Sequence, residues 1–385
     1  MKSPLIESIE SHFAEVKDPR QFGKVKHPLM NIIFLTICGV LCGADDWPAI
    51  QSFGQSQAEW LNKYLKWENG IPSSDTLERT FALIDSEQFQ AGFLNWIKSV
   101  REVLNGVIAL DGKQLRRSYE QGEGKGAIHM VSAWSVANGL VLGQRKVAEK
   151  SNEITAIPLL LAGLDLKSCI VTIDAMGCQR AIAAQIIDQK GDYVLALKGN
   201  QGQLYEDTTE MFAYFMKIGF KNIAHDKFRT VNKGHGRLEI RECWAFAPEE
   251  WKAHFRTLAS WEGLQSLVMI RSQRQEAGKT TTEIRFFISS LEPNAKKLLE
   301  AVRAHWNIEN QLHWVLDVAF NEDQSRVRKG YAAENLAVIR HLVLNLLTNE
   351  KTVKLGKRTK RLRCGWDVAY RERVLAGFNS LACLT

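Results

Sequence analysis

The stretch VIALDGK (107–113) decides how this chain is read, because a short run of β-branched and aliphatic residues ends in an acid, Asp111, and then a glycine. CIVTIDAMGCQ (169–179) and GDYVLALKGNQ (191–201) repeat the pattern. Such runs read as buried strands that carry a polar side chain to the loop or helix that follows. Between the first two lie GAIHMVSAWSV (126–136) and LVLGQRKVA (140–148), split by Asn138-Gly139, a turn pair that predicts a hairpin. SNEITAIPLLLAGL (151–164) opens with Ser151, carries Glu153 in its first turn and repeats apolar residues at helical spacing. A second helix, about 179–189, follows Asp174. The order β-β-β-α-β-α-β predicts an α/β fold, a mixed sheet covered by helices, with Asp111 on the first strand and Asp174 at the end of the fourth. Open sheets build their sites at strand ends. The two carboxylates are therefore expected to meet there, although Asp111-Gly112 alone also suits a turn.

A chain of 385 residues has room for two or three domains and a large core. With 45% hydrophobic and 24% charged residues it is neither disordered nor membrane-like. The apolar run NIIFLTICGVLCGA (31–44) is too short and too far along the chain for a secretory signal or a membrane span, and is expected to be a buried helix. A net charge of +7 suits a polyanionic partner. Cysteines at 38, 42, 169, 178, 243, 364 and 383 form no C-x-x-C pair, which favours reduced core thiols in a cytoplasmic protein over a zinc site.

Residues 1–100 read as a helical N-terminal domain, with a helix capped near Ser73 or Ser74; it either binds DNA ends or packs against the sheet. Residues 101–219 are expected to hold the first part of an α/β core. GRLEIRECWAFA (236–247), LQSLVMIRSQR (264–274) and TTEIRFFISS (281–290) are strand-like, so 220–292 is expected to be a β-rich insertion, separate from the main sheet. The core then resumes over 293–349, followed by a basic C-terminal segment, 350–385.

On a helix, AKKLLEAVRAHWNIENQLHWVLDVAFNED (295–323) puts His305, Glu309, Leu312, His313 and Leu316 on one side. An acid on an apolar face either bonds a neighbouring His or Arg303, or completes a metal site with Asp111 and Asp174. Three carboxylates suit a hard divalent cation such as magnesium. A zinc site built on His305 and His313 lacks the H-E-x-x-H order.

The strings ALDGKQLRRS (109–118), GAIHMVSAWS (126–135), EKSNEITAIPLLL (149–161), TIDAMGCQ (172–179), ALKGNQ (196–201), HGRLEIR (235–241), HWNIENQLHWVLDVAFNED (305–323) and IRHLVLNLL (339–347) resemble those of DDE insertion-sequence transposases, in the branch of the H-repeat-associated proteins. DPRQFGKVKHPL (18–29) and LCGADDWPAIQSFG (41–54) extend the likeness almost end to end. The resemblance implies an RNase H-like mixed sheet flanked by helices, with a β-rich insertion and a helical N-terminal domain. It also implies a catalytic and metal-binding triad of Asp111, Asp174 and Glu309 that uses Mg2+ or Mn2+ to cut and join double-stranded DNA, and a homodimer or higher oligomer on that DNA.

The wider group has tyrosine seven and arginine four residues before the glutamate, and lysine seven after; here Val302, His305 and Leu316 stand there. His305 is a phosphate contact only when protonated, and Asp317, Glu322 and Asp323 are close enough in sequence to serve as extra or substitute ligands. Lys198, Arg326, Arg328 and Lys329 are candidate DNA contacts. So are Lys357, Arg358, Lys360 and Arg361 in KTVKLGKRTKRLR (351–363), which has seven cations and no acid. An active transposase, an inactive or domesticated relative that binds DNA, and another RNase H-like nuclease such as a junction resolvase are the three functions in view. Inverted repeats flanking the gene would favour the first.

Overall fold

A computed structural model of the chain describes residues 3–100, 105–119, 126–148, 152–234 and 236–379. The run VIALDGK lies within β1 (Gly106–Gln114), where Ile108, Ala109 and Leu110 are buried. On one side β1 pairs antiparallel with β2 (His129–Ser135), which turns back into β3 (Leu140–Lys146). Gly139 takes a left-handed backbone in that turn, at φ +64°. On the other side β1 pairs in parallel with β4 (Cys169–Ile173), and β4 in parallel with β5 (Asp192–Leu197). The register sets Leu110 opposite Ile173, so Asp111 and Asp174 follow at the same level on neighbouring strands.

The β-rich region does not form a separate sheet. β6 (Asp226–Gly234), β7 (Arg237–Phe246), β8 (Ser266–Glu276) and β9 (Lys279–Ser289) make an antiparallel meander, and β9 bonds to β5 from Val194–Ser289 to Leu197–Phe286. One nine-stranded sheet results, in the order β3-β2-β1-β4-β5-β9-β8-β7-β6. The reason lies in how each strand divides. SLVMI of β8 and FFIS of β9 are buried, while the ends that run to the hairpin at Gly278 are exposed. The apolar halves need cover and find it beside β5. β6 is exposed along most of its length and lacks the alternation that would have marked it as a strand.

Among the described residues six helices precede the sheet: α1 (Pro4–His12), α2 (Leu29–Leu41), α3 (Trp47–Ser56), α4 (Ala58–Asn62), α5 (Ser74–Leu83) and α6 (Ser86–Val100). α2 is the apolar run, buried from Asn31 to Leu41; no described helix is long and apolar enough to cross a membrane. Ser73 caps α5 by accepting from the Thr76 amide. α7 (Glu153–Ala162) follows β3, α8 (Arg180–Asp188) lies between β4 and β5, and α9 (Gly202–Lys217) follows β5. Asn152 caps α7; Ser151 lies outside the described residues.

After β9 come α10 (Ala295–His305), a π-helical turn (Glu309–His313), α11 (Trp314–Phe320), α12 (Ala332–Asn349), α13 (Lys357–Trp366) and α14 (Val368–Ala376). α12 is buried on every side from Ala332 to Leu347, as its near-continuous apolar sequence requires. Its polar residues join the two halves of the molecule. Asn335 donates to the Phe81 and Ile84 carbonyls at the end of α5, both at 2.9 Å. Asn345 takes the Val141 amide and donates to the Val141 carbonyl, both at 2.9 Å, on β3. The N-terminal helices α2, α5 and α6 pack on α12, and α6 also on β3.

Asn345→Ala would leave both Val141 backbone groups buried without partners. At roughly 1–3 kcal/mol for each such group, the variant is expected to lose a few kcal/mol of stability. Urea unfolding checks this, as a lowered midpoint at an unchanged m-value.

Candidate metal centre at the strand ends

The parallel β1–β4 pair carries Asp111 and Asp174 to one edge of the sheet. The Asp111 carboxylate accepts from the Gly112 amide at 2.9 Å, and that of Asp174 from the amides of Met176 and Gly177 at 3.0 and 3.3 Å. Glu309 arrives on the π-helical turn between α10 and α11, a wider i→i+5 turn of the kind that recurs at functional sites. Its Oε2 lies 3.0 Å from Nδ1 of His313, and that nitrogen lies 3.6 Å from Oδ2 of Asp111. One potential ligand atom from each of Asp111, Glu309 and His313 falls within 4.8 Å of the others. All three acids line one cleft of about 390 Å³, together with Lys198, His305 and Trp306.

Burial pushes the Asp111 carboxyl up to about 7; the Gly112 amide opposes the rise, while the charges of Asp174, Glu153 and Glu309 add to it. Burial lowers the pKa of His313 against the opposing bond from Glu309, and that of His305, whose Nδ1 lies 3.1 Å from the Thr172 hydroxyl. Both imidazoles are held towards the neutral form, which weakens the case for His305 as a cationic phosphate contact. Three carboxyl side chains, one of which resists ionisation, fit a hard divalent cation, whose charge would offset the repulsion among them.

Two features escaped the sequence. Glu153 bonds His129 at 2.7 Å directly behind Asp111. A Cβ at position 112 would lie 1.9 Å from the Glu153 carboxylate and 2.6 Å from the His129 ring, so Gly112 serves this close approach. The second is Lys113, on the same face of β1 as Asp111. Its ammonium donates to Asp317, to Glu322 at 3.0 Å and to the His313 carbonyl at 3.3 Å. Asp323 pairs with Arg116 at 3.3 Å. Asp317, Glu322 and Asp323 are thus engaged by cations and do not join the cluster of Asp111, Glu309 and His313. A lysine two residues beyond a candidate site acid on a strand was the signal available.

The structure separates the candidate DNA contacts. Lys198, Arg326, Lys329 and Arg358 are exposed. Arg328 is half-buried, donates to the Arg117 carbonyl at 2.9 Å and lies over the Tyr119 ring. Lys357 is half-buried, and burial pushes its ammonium down to about 7. Lys360 and Arg361 correct the expectation for 351–363, because both are buried. Lys360 donates to the Leu347 carbonyl at 3.1 Å and to that of Glu350. Arg361 donates to the Val40 carbonyl at 2.7 Å, to Ala319 and to the Asp45 carboxylate at 2.7 Å, and lies over the Phe320 ring. These carbonyls lie at the C-terminal ends of α12, α2 and α11, where a cation is favoured.

Residues 78–346 match the family described as a transposase DDE domain, and residues 10–97 match its companion region, DDE_Tnp_1-associated. The putative transposase YncI of Escherichia coli O157:H7 is 46% identical, over 99% of this chain and 97% of that protein. The H repeat-associated putative transposase YhhI of Escherichia coli K12 is 42% identical, over 97% and 98%. Among solved structures, the piggyBac transposase synaptic complex with hairpin DNA is similar at a TM-score of 0.43 and 11% identity, over 97% of this chain and 79% of that one.

Because the folded Asp111 carboxyl is raised above its ordinary 3.8, its contribution to stability is present in full below that value and is lost as pH rises through about 7. Asp111→Asn is therefore expected to be more stable than wild type near about pH 8 in chelator, by a gain that shrinks as pH falls towards about 4. Melting temperatures across that range check it, and a gain independent of pH would contradict it. Arg361→Met keeps the bulk but removes the buried guanidinium's bonds to the Val40 and Ala319 carbonyls and to Asp45, so a loss of about 3–5 kcal/mol is expected in urea unfolding.

Proposed function

This chain belongs to the transposase DDE-domain family, and from that premise we propose that it cuts and joins phosphodiester bonds at the ends of an insertion element. The observation that carries the proposal is the meeting of Asp111, Asp174 and Glu309, from three distant parts of the sequence, around one cleft. Magnesium or manganese held by these acids would supply activation of an attacking oxygen and stabilisation of the leaving one. The chain's own part is to hold the carboxylates at fixed positions, through amides for Asp111 and Asp174 and through His313 for Glu309. No protein nucleophile is needed. Lys198, at the cleft, and the exposed Arg326, Lys329 and Arg358 are the cations best placed to meet the DNA backbone. Acting on two element ends calls for at least two copies of the chain on double-stranded DNA. The six described cysteines are all free, which suits work in the cytoplasm; Cys383 lies outside the described residues.

Asp111→Asn, Asp174→Asn and Glu309→Gln each remove a ligand charge with little change of shape. Each variant is expected to bind end DNA like wild type and to lose magnesium-dependent cleavage by on the order of a hundredfold or more. Gel-shift and strand-cleavage assays on the same preparations check both halves. Cleavage by Glu309→Gln at the wild-type rate would remove Glu309 from the triad.

A further inference from the structure

We propose that His313 is itself a metal ligand through Nδ1, so that a cation between Asp111 and Glu309 has one nitrogen donor and the centre favours manganese over magnesium. The inference rests on the metal-dependent reading above and extends it to a residue outside the three acids. His313 Nδ1 stands 3.0 Å from one carboxylate and 3.6 Å from the other, and the three ligand atoms form a group without Asp174. The imidazole is almost wholly buried, at 3% exposure, so it is not a mobile surface side chain that happens to lie near.

Its position is fixed from the backbone as well as from the ring. Lys113, rooted on β1 beside Asp111, donates to the His313 carbonyl at 3.3 Å. The π-helical turn brings Glu309 and His313, one turn apart, to the same side. At the far side of the ring, Nε2 is buried without a hydrogen-bond partner. The tautomer of a ligating histidine is set by the bond its other nitrogen makes. In the metal-free protein Nδ1 donates to the Glu309 carboxylate; with no partner at Nε2 to oppose the change, the ring proton would sit on Nε2 when a cation takes the Nδ1 lone pair in place of that bond. His305 differs: its Nδ1 is engaged with Thr172, and it lies outside the three-residue group.

The chemistry of the donor then sets the metal preference. Carboxylate oxygens accept magnesium and manganese alike, whereas an imidazole nitrogen suits a transition metal better than the hard magnesium ion. A cation held by Asp111 and Asp174 alone would have only oxygen donors from these side chains and no such bias. The two acids on β1 and β4 and the acid and imidazole on the π turn would therefore make two unlike positions that share Asp111.

The test uses manganous ion added to the full-length, metal-free protein, followed by electron spin-echo spectroscopy. Directly bound histidine nitrogen is expected to modulate the signal, and the modulation should change frequency in wild-type protein grown on heavy-nitrogen histidine, a comparison that needs no variant to fold. His313→Gln is expected to lose the modulation and to weaken manganese binding on the order of 10–100-fold, the range seen when groups supporting a metal are removed. Magnesium binding, measured by competition, should weaken less. His305→Asn should keep the modulation. Manganese that binds in an Asp111-dependent way without any histidine coupling would overturn the inference alone, as would coupling lost in His305→Asn and kept in His313→Gln. Manganese binding unchanged by Asp111→Asn, or none at all, would overturn the underlying carboxylate reading with it.

Discussion

The ammonium group of Lys113 is the interaction on which the site depends. It lies two residues beyond Asp111 on the same face of β1 and holds Asp317, Glu322 and the His313 carbonyl at once. Glu322 is buried at 3% exposure, and Arg340 of α12 stands 3.6 Å away on its other side. Removing one member of such a group leaves an uncompensated buried charge, a loss of about 3–5 kcal/mol. Lys113 therefore does more than pair charges: it fastens the segment carrying Glu309 to the strand carrying Asp111. Through Arg340 the same network reaches α12, the helix on which the N-terminal helices pack. The distance between the first and third acids is set by this chain of contacts.

Against that clamp works the repulsion of the acids themselves. Burial raises the Asp111 carboxyl first, the charges of Asp174, Glu153 and Glu309 add to the rise, and the group resists ionisation in consequence. A divalent cation would reverse the balance, because its charge favours the ionised carboxylate and displaces the proton. Metal binding, proton release and folding stability would then be linked in one place. Such tension between local stability and arrangement is what a functional site is expected to show.

The strands and the first two acids were legible because a buried strand ending in a charged residue violates the apolar pattern that it otherwise follows. β1, β4 and β5 were visible for this reason, as was the β2–β3 hairpin through Asn138-Gly139. The joining of β9 to β5 was not, since a polar hairpin end looks the same whether its apolar half packs in a new sheet or extends an old one. Glu309 was singled out in the sequence by its place on an apolar face, but the π turn that brings it and His313 near Asp111 has no sequence mark. Glu153 looked like an ordinary first-turn acid. Its meaning depends on Gly112, whose missing side chain leaves room for the Glu153–His129 pair, and that contact exists only in three dimensions.

The basic segment shows why charge counted along a sequence misleads. In α13, Lys360, Arg361 and Cys364 form the inward face, and the two cations meet carbonyls at the C-terminal ends of α12 and α2. A helix C-terminus carries a partial negative charge, so a buried cation there is itself compensated. Part of the net charge of +7 is therefore internal architecture and contributes nothing to an outside partner at short range. What remains for a polyanion is narrower and more informative than the composition suggests. Lys198 lies at the cleft itself, and Arg326 and Lys329 follow the segment that Lys113 fastens to β1. A cation in the position of Lys198, lining the carboxylate cleft, offsets part of the negative charge that the three acids place there.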